Sequence, residues 1–198
     1  MYKHLVTLLG GVSVPVDTYP DFKLKAVDVE AAVTDRTKAL IVSSPANPTG
    51  VTLARQELQA IAAVADRHNL LVISDEIYEQ LQYDTPPCTI TGMAQNVITL
   101  NGFSKMAAMT GWRVGFAAGP EDIIQQMNTL QQYTFVCAPS FAQKAAVKAL
   151  ELDHSAKTDA YRRKRDIIYN GLKDHFNVVK PGGAFYIFPE APGGDGTA

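Results

Sequence analysis

The sequence has little of several things that would narrow its role, and each shortage excludes something. It holds two cysteines, Cys88 and Cys137, far apart and in no metal-like spacing. A disulfide scaffold is excluded, and a reducing, cytoplasmic setting is the expectation. The four histidines, His4, His68, His154 and His175, are isolated, and no two stand at the spacing of a helical metal pair. Neither sign of charge dominates: 18 basic against 20 acidic residues leave a net charge of −2, so nothing in the balance favours nucleic acid or an anionic membrane. No apolar run reaches the length of a membrane span. Lys3 ahead of LVTLLGGVSV imitates an export signal. However, no small-x-small cleavage site follows, and Pro15, Asp17 and Pro20 end the stretch. Internal repeats and low-complexity segments are missing as well.

What is there reads as an ordinary globular enzyme. The hydrophobic share is 46% and the charged share 19%, in a 198-residue chain long enough for one domain and part of a second. Strand-like runs recur at Val12–Val16, Lys38–Ser44, Leu70–Glu76, Asn96–Gly102 and Val114–Gly119. Leu40 to Val42 and Leu70 to Ile73 are continuously apolar, as in parallel strands covered by helices on both faces. Between them the spacing predicts a helix over Leu53–His68, with Leu58, Ile61, Ala62 and Ala65 on one stripe and Asn69 as its stop. Strand, helix and strand make a βαβ unit, so the expected class is α/β, a three-layer αβα fold on a mainly parallel sheet.

Beyond Gly119 the pattern turns helical. Pro120 suits a first helical position, and Ile123, Ile124, Met127 and Leu130 share a face. Ser140 with Gln143 forms a capping-box pattern opening a helix to about Leu152. A polar helix is expected over Ser155–Phe176, burying Tyr161, Ile168, Leu172 and Phe176 and exposing Arg162 to Arg165 as a solvated face. PGGAFYIFPE then reads as a turn and a strand of a different layer, before the tail APGGDGTA. The expected division is residues 1–150 and residues 151–198. Trp112 is expected to pack beside Arg113.

Three polar clusters fall just past strand-like runs: SSPANPTG with Asn47, SDEIYE with Asp75 and Tyr78, and NGFSKMAAMTGWRVGF with Ser104, Lys105 and Arg113. In open α/β sheets ligands sit beyond the carboxyl ends of the strands. The clusters together supply an amine nucleophile, an acid, a phenol, an amide, a hydroxyl and a guanidinium. That set suits pyridoxal phosphate. Lys105 is the amine that condenses with an aldehyde and then shuttles a proton. Asp75 keeps the ring nitrogen protonated, Tyr78 and Asn47 donate to the ring oxygen, and Ser104 and Arg113 hold the phosphate. Taken singly, NPTG is a turn, SDE is a helix cap, and SK carries nothing. Their order and their place at strand ends carry the reading.

With NPTG, SDEIYE, SK…TGWRVGF and GGAFYIFP in hand, the chain resembles the class I/II aminotransferases of the aspartate aminotransferase superfamily, the fold-type I pyridoxal phosphate enzymes. The resemblance implies an incomplete large domain plus the start of the C-terminal small domain. It implies Lys105 as the Schiff-base lysine, and it gives Asn47, Asp75, Tyr78, Ser104 and Arg113 the roles above. It also implies a cis Asn47–Pro48 bond and a homodimer. Members of that family are longer. The chain therefore resembles an internal fragment, without the first strand, the glycine-containing phosphate loop, the ring-stacking aromatic residue and the arginine that grips the substrate carboxylate. The expectation is weak cofactor binding and poor turnover by this polypeptide alone. The implied activity is transfer of an amino group from an amino acid to a 2-oxo acid. The alternatives are a pyridoxal phosphate-dependent C–S lyase and a non-catalytic cofactor-binding remnant or regulatory module. Substrate identity stays open. Gln131–Gln143 holds no Arg or Lys, which disfavours a dicarboxylate specialist.

Overall fold

The computed structural model describes residues 2–194. Met1 and residues 195–198, with the end of the expected 151–198 division and most of the tail APGGDGTA, lie outside the described residues. A four-stranded sheet runs in the order β1 (Ala39–Ser43), β2 (Leu71–Asp75), β3 (Val97–Gly102), β4 (Gly115–Ala118). The first three strands are parallel and β4 is antiparallel to β3. The mainly parallel α/β architecture matches expectation.

Helix α3 (Arg55–Arg67) links β1 to β2 and builds the core. Its predicted stripe, Leu58, Ile61, Ala62 and Ala65, is buried against Val42, Val72 and Val97. Burying a Leu or Ile side chain of this kind contributes roughly 1.5–3 kcal/mol. Glu57 secures the first turn by accepting the Ala54 backbone N–H at 2.6 Å, and Lys23 pairs with it at 2.7 Å. Asn69, in the left-handed region at φ 50°, ends the segment. Helix α2 (Ala26–Ala32) lies alongside and contributes the buried Val29.

Cover is unequal on the two faces. Val42, Val72 and Ser74 are buried, whereas their alternating neighbours Ile41, Ile73 and Asp75 are only half-buried. The continuous apolar runs had implied equal cover. Val12–Val16 is not a strand but irregular backbone, because no strand lies beside it to complete a ladder. The segment before it is α1 (Tyr2–Leu8), which has no buried residue.

The C-terminal half departs further from expectation. Helix α4 (Glu121–Gln132) begins one residue after Pro120, and Met127 and Leu130 on its apolar face are exposed. In α5 (Ser140–Ala149) Ser140 makes no capping bond. Gln143 instead donates to the Ala138 carbonyl, while Ala142, Ala146 and Ala149 pack on Phe103, Met109 and Val114. Helix α6 (Ser155–Leu172) ends before the expected Phe176, and neither Ile168 nor Phe176 is buried. Its one buried residue is Arg165, from the run expected to face solvent. The reason is pairing: the Arg165 guanidinium bonds Asp84, Asp166 and the Pro181 carbonyl and lies 4.9 Å from the Tyr83 ring centroid. A buried guanidinium is tolerated when its donors are satisfied in this way. The PGGAFYIFPE segment forms isolated bridges, Gln82 with Gly183 and Val178 with Pro189, rather than a strand. Trp112 is 44% exposed and its ring meets that of Phe141. No helix among the described residues is long and apolar enough to cross a membrane.

Candidate active site

The parallel order of β1, β2 and β3 sets their carboxyl ends side by side, and the predicted residues follow from that. Asp75 is the last residue of β2, Asn47 lies in the turn after β1, and Ser104 and Lys105 follow β3. Antiparallel β4 returns the chain to the same edge. Gly102 pairs with Gly115, which puts Arg113 just outside it.

The turn after β1 is held from a distance. The Ser44–Pro45 and Asn47–Pro48 peptide bonds are both cis. Gly50 has φ +70°, and a Cβ there would come 2.6 Å from Pro181. Gly183 donates to the Gly50 carbonyl at 2.9 Å, and a Cβ on Gly183 would meet Pro45 at 2.6 Å. Only glycines permit this approach. It delivers Phe185 and Tyr186 to the strand edge. Ala184, fully buried at φ 57°, is fixed there by the Tyr83 hydroxyl, which donates to its carbonyl.

Lys105 Nζ sits 5.6 Å from the ring centroids of both Tyr78 and Phe185. Among the described residues it has no hydrogen-bond acceptor or ion-pair partner. The Tyr78 hydroxyl lies 2.6 Å from that of Tyr186. Burial, then the hydrogen bond to Tyr186, then the negative charge of Asp75, hold the Tyr78 phenol above its ordinary range, while the nearby Asn47 side chain acts in the opposite sense. Tyr78 thus stays a protonated donor at neutral pH. Asp75 accepts the Ile77 N–H at 3.3 Å on one oxygen and the Tyr2 hydroxyl on the other. Asn47, Asp75, Tyr78 and Lys105 therefore form one group, with Ser104 adjoining it in the chain. Arg113, just ahead of β4 at the same edge, is exposed, has φ 52°, and donates a hydrogen bond from Nη1 to the Thr110 carbonyl at 3.0 Å.

Sequence reasoning missed Tyr2, Phe185 and Tyr186 at this edge. GGAFYIFP was the available signal for the last two. Nothing in the sequence marked Tyr2.

A planar aldehyde with a basic ring nitrogen, a phenolic oxygen and a phosphate fits this donor set: an unpaired amine, a carboxylate at the end of β2, a protonated phenol and a hydroxyl. One cavity of about 120 Å³, lined by Ile77, Glu79, Asn101, Phe103 and Phe116 among others, includes none of the six predicted residues.

A mainly parallel α/β sheet with a lysine, an aspartate and a tyrosine at its carboxyl edge defines a class, and the comparisons agree. The pattern of the aminotransferase class I and II family matches residues 1–194, so the chain belongs to that family. It is 43% identical over 197 residues to a putative aminotransferase, YugH, of Bacillus subtilis, covering 95% of this chain and 51% of that protein. It is 44% identical over 200 residues to an aspartate aminotransferase of Pyrococcus abyssi, with 95% and 51% covered. The crystal structure of an aromatic aminotransferase from Pyrococcus horikoshii superposes with a TM-score of 0.90 at 44% identity, over 96% of this chain and 54% of that one. The chain spans about half the length of the curated relatives it matches.

Proposed function

We propose that this chain carries the cofactor-binding part of a pyridoxal phosphate-dependent aminotransferase, moving an amino group from an amino acid to a 2-oxo acid. The observation that carries this reading is Lys105, an amine set against the Tyr78 and Phe185 rings at the carboxyl edge of the sheet, the edge at which Asp75 ends β2. When bound, pyridoxal phosphate supplies an aldehyde carbon that takes up amines and a cationic ring that draws electrons from the carbon next to the nitrogen.

The residues have separate tasks. Lys105 Nζ holds the cofactor and, once displaced by the incoming amine, takes and returns a proton at the substrate Cα. The Asp75 carboxylate keeps the proton on the ring nitrogen. Tyr78 and Asn47 donate to the ring oxygen. Ser104 and Arg113 bind the phosphate, the guanidinium through paired charge-assisted bonds. The Phe185 ring excludes water beside the amine. Residues 1–150 form the larger unit and residues 151–198 begin a smaller one. The working enzyme is a cytoplasmic homodimer that takes small amino and 2-oxo acids.

Titrating the purified chain with pyridoxal phosphate tests this. A visible absorbance band is expected, absent from Lys105→Ala and bleached by an amino donor. Keto-acid product from alanine or aspartate supports transfer, whereas thiol release from cystathionine overturns it in favour of a lyase. An unchanged band in Lys105→Ala overturns the assignment of the lysine.

A further inference from the structure

Helix α1 touches the rest of the molecule in an unusual way. None of its residues is buried, and Leu5, Leu8 and Leu9 are 50%, 80% and 86% exposed. Among the described residues, one hydrogen bond joins the segment 2–11 to the body: the Tyr2 hydroxyl donates to Asp75 Oδ2. The other Asp75 oxygen is occupied by the Ile77 N–H. Burial, followed by the bond to Asp75, raises the Tyr2 phenol above its ordinary range, so it remains a donor at every working pH.

We infer that Tyr2 is a positioning residue for the aminotransferase site, fixing the Asp75 carboxylate in the orientation that receives the ring nitrogen of the cofactor. A carboxylate at a strand end is free to rotate about its terminal torsion, which is broad and roughly two-fold. One backbone N–H at 3.3 Å is a weak restraint. A phenol on the second oxygen fixes the plane and leaves lone pairs on both oxygens for a further donor. A charge-assisted bond of this kind is among the stronger ones a site contains. The inference rests on the cofactor reading above, because an orientation matters only if something is received.

The test is a double-mutant cycle on cofactor affinity, measured by spectral titration. Tyr2→Phe keeps the ring and removes the donor, and the dissociation constant for pyridoxal phosphate is expected to rise about tenfold. In an Asp75→Ala background the same change is expected to alter affinity by no more than about twofold, because the acceptor is gone. Tyr2→His, which restores an N–H donor, recovers part of the loss. If Tyr2 merely pins α1, Tyr2→Phe weakens pyridoxal phosphate and its 1-deaza analogue, which lacks the ring nitrogen, by the same factor, and that result overturns the inference, as does unchanged affinity for pyridoxal phosphate in Tyr2→Phe; the inference expects the loss with pyridoxal phosphate alone. Thermal unfolding of the same four proteins without cofactor reads the contact by itself, and additive shifts there also overturn the inference. Lys105→Ala separates the two failures. Loss of its visible band with no effect of Tyr2→Phe sinks only the role of Tyr2. Coupled unfolding with no cofactor band in the parent sinks the cofactor reading, and the role of Tyr2 with it.

Discussion

The apolar face under α3 and the polar edge around Lys105 are built on the same strands but held by different forces. Under α3, Val42, Val72, Leu58 and Ile61 are at most 2% exposed and make contacts that any well-packed hydrocarbon can make. At the edge, single hydrogen bonds fix single side chains: Tyr78 to Tyr186, Tyr2 to Asp75, Tyr83 to the Ala184 carbonyl. Stability is thereby concentrated in one region and chemical identity in the other. Damage to either should be readable separately.

The largest expected effect lies at the edge. Lys105→Ala should lower transfer by at least about 10²–10⁴-fold while leaving the unfolding midpoint near that of the parent. Equal losses in both measurements would erase the distinction between the regions. Leu58→Ala should do the converse. It should cost about 2–5 kcal/mol of stability in denaturant unfolding, with cofactor affinity unchanged under conditions where the protein stays folded. Arg165→Ala probes the border, since this buried guanidinium ties α6 to Asp84 and to the Pro181 turn that carries Phe185. Half of Asp84 faces solvent, which screens the pair, so about 1–3 kcal/mol is expected, together with weaker cofactor binding.

The smallest effects are in pH. Hydrogen bonding to Arg165 holds the Asp84 carboxyl below its ordinary range. Its contribution is therefore present above the unfolded carboxylate range and lost as pH falls through the depressed folded value. Arg165→Ala should remove that acid limb from the plot of midpoint against pH. Glu79 has the opposite sign. Burial, then the neighbouring Glu76 charge, raises its carboxyl, so stability falls as pH rises from the ordinary Glu range through the raised value. Glu79→Gln keeps an acceptor for Asn101, which bonds Glu79 at 2.9 Å, and should raise the unfolding midpoint at neutral pH and leave it unchanged in acid. Thermal scans from acid to neutral pH check both.

Periodicity revealed the core because α3 has only one face to bury, and Leu58, Ile61, Ala62 and Ala65 leave no other register. It failed on α4 and α6, where apolar residues such as Leu130 and Ile168 recur at helical spacing yet stay exposed. It also hid Arg165, because burial of a charge depends on a distant Asp84 that no local pattern encodes. Val12–Val16 has the composition of a strand, but a strand is a pairwise object and composition describes only one member. The strand-end residues were legible because topology converts a position after a parallel strand into a place in space. Tyr2 was not, since its bond to Asp75 spans the whole first sheet unit.

The interlock of Gly50 with Gly183, and of Tyr78 with Tyr186, sets the order in which this molecule can be made. A nascent chain emerging from the ribosome has all of β1, β2 and α3 available early and can collapse them at once. The edge, however, waits for residues more than a hundred positions downstream, including the Tyr186 that reaches back to Tyr78. The amine thus meets the Phe185 ring only after the framework that bears it has already formed.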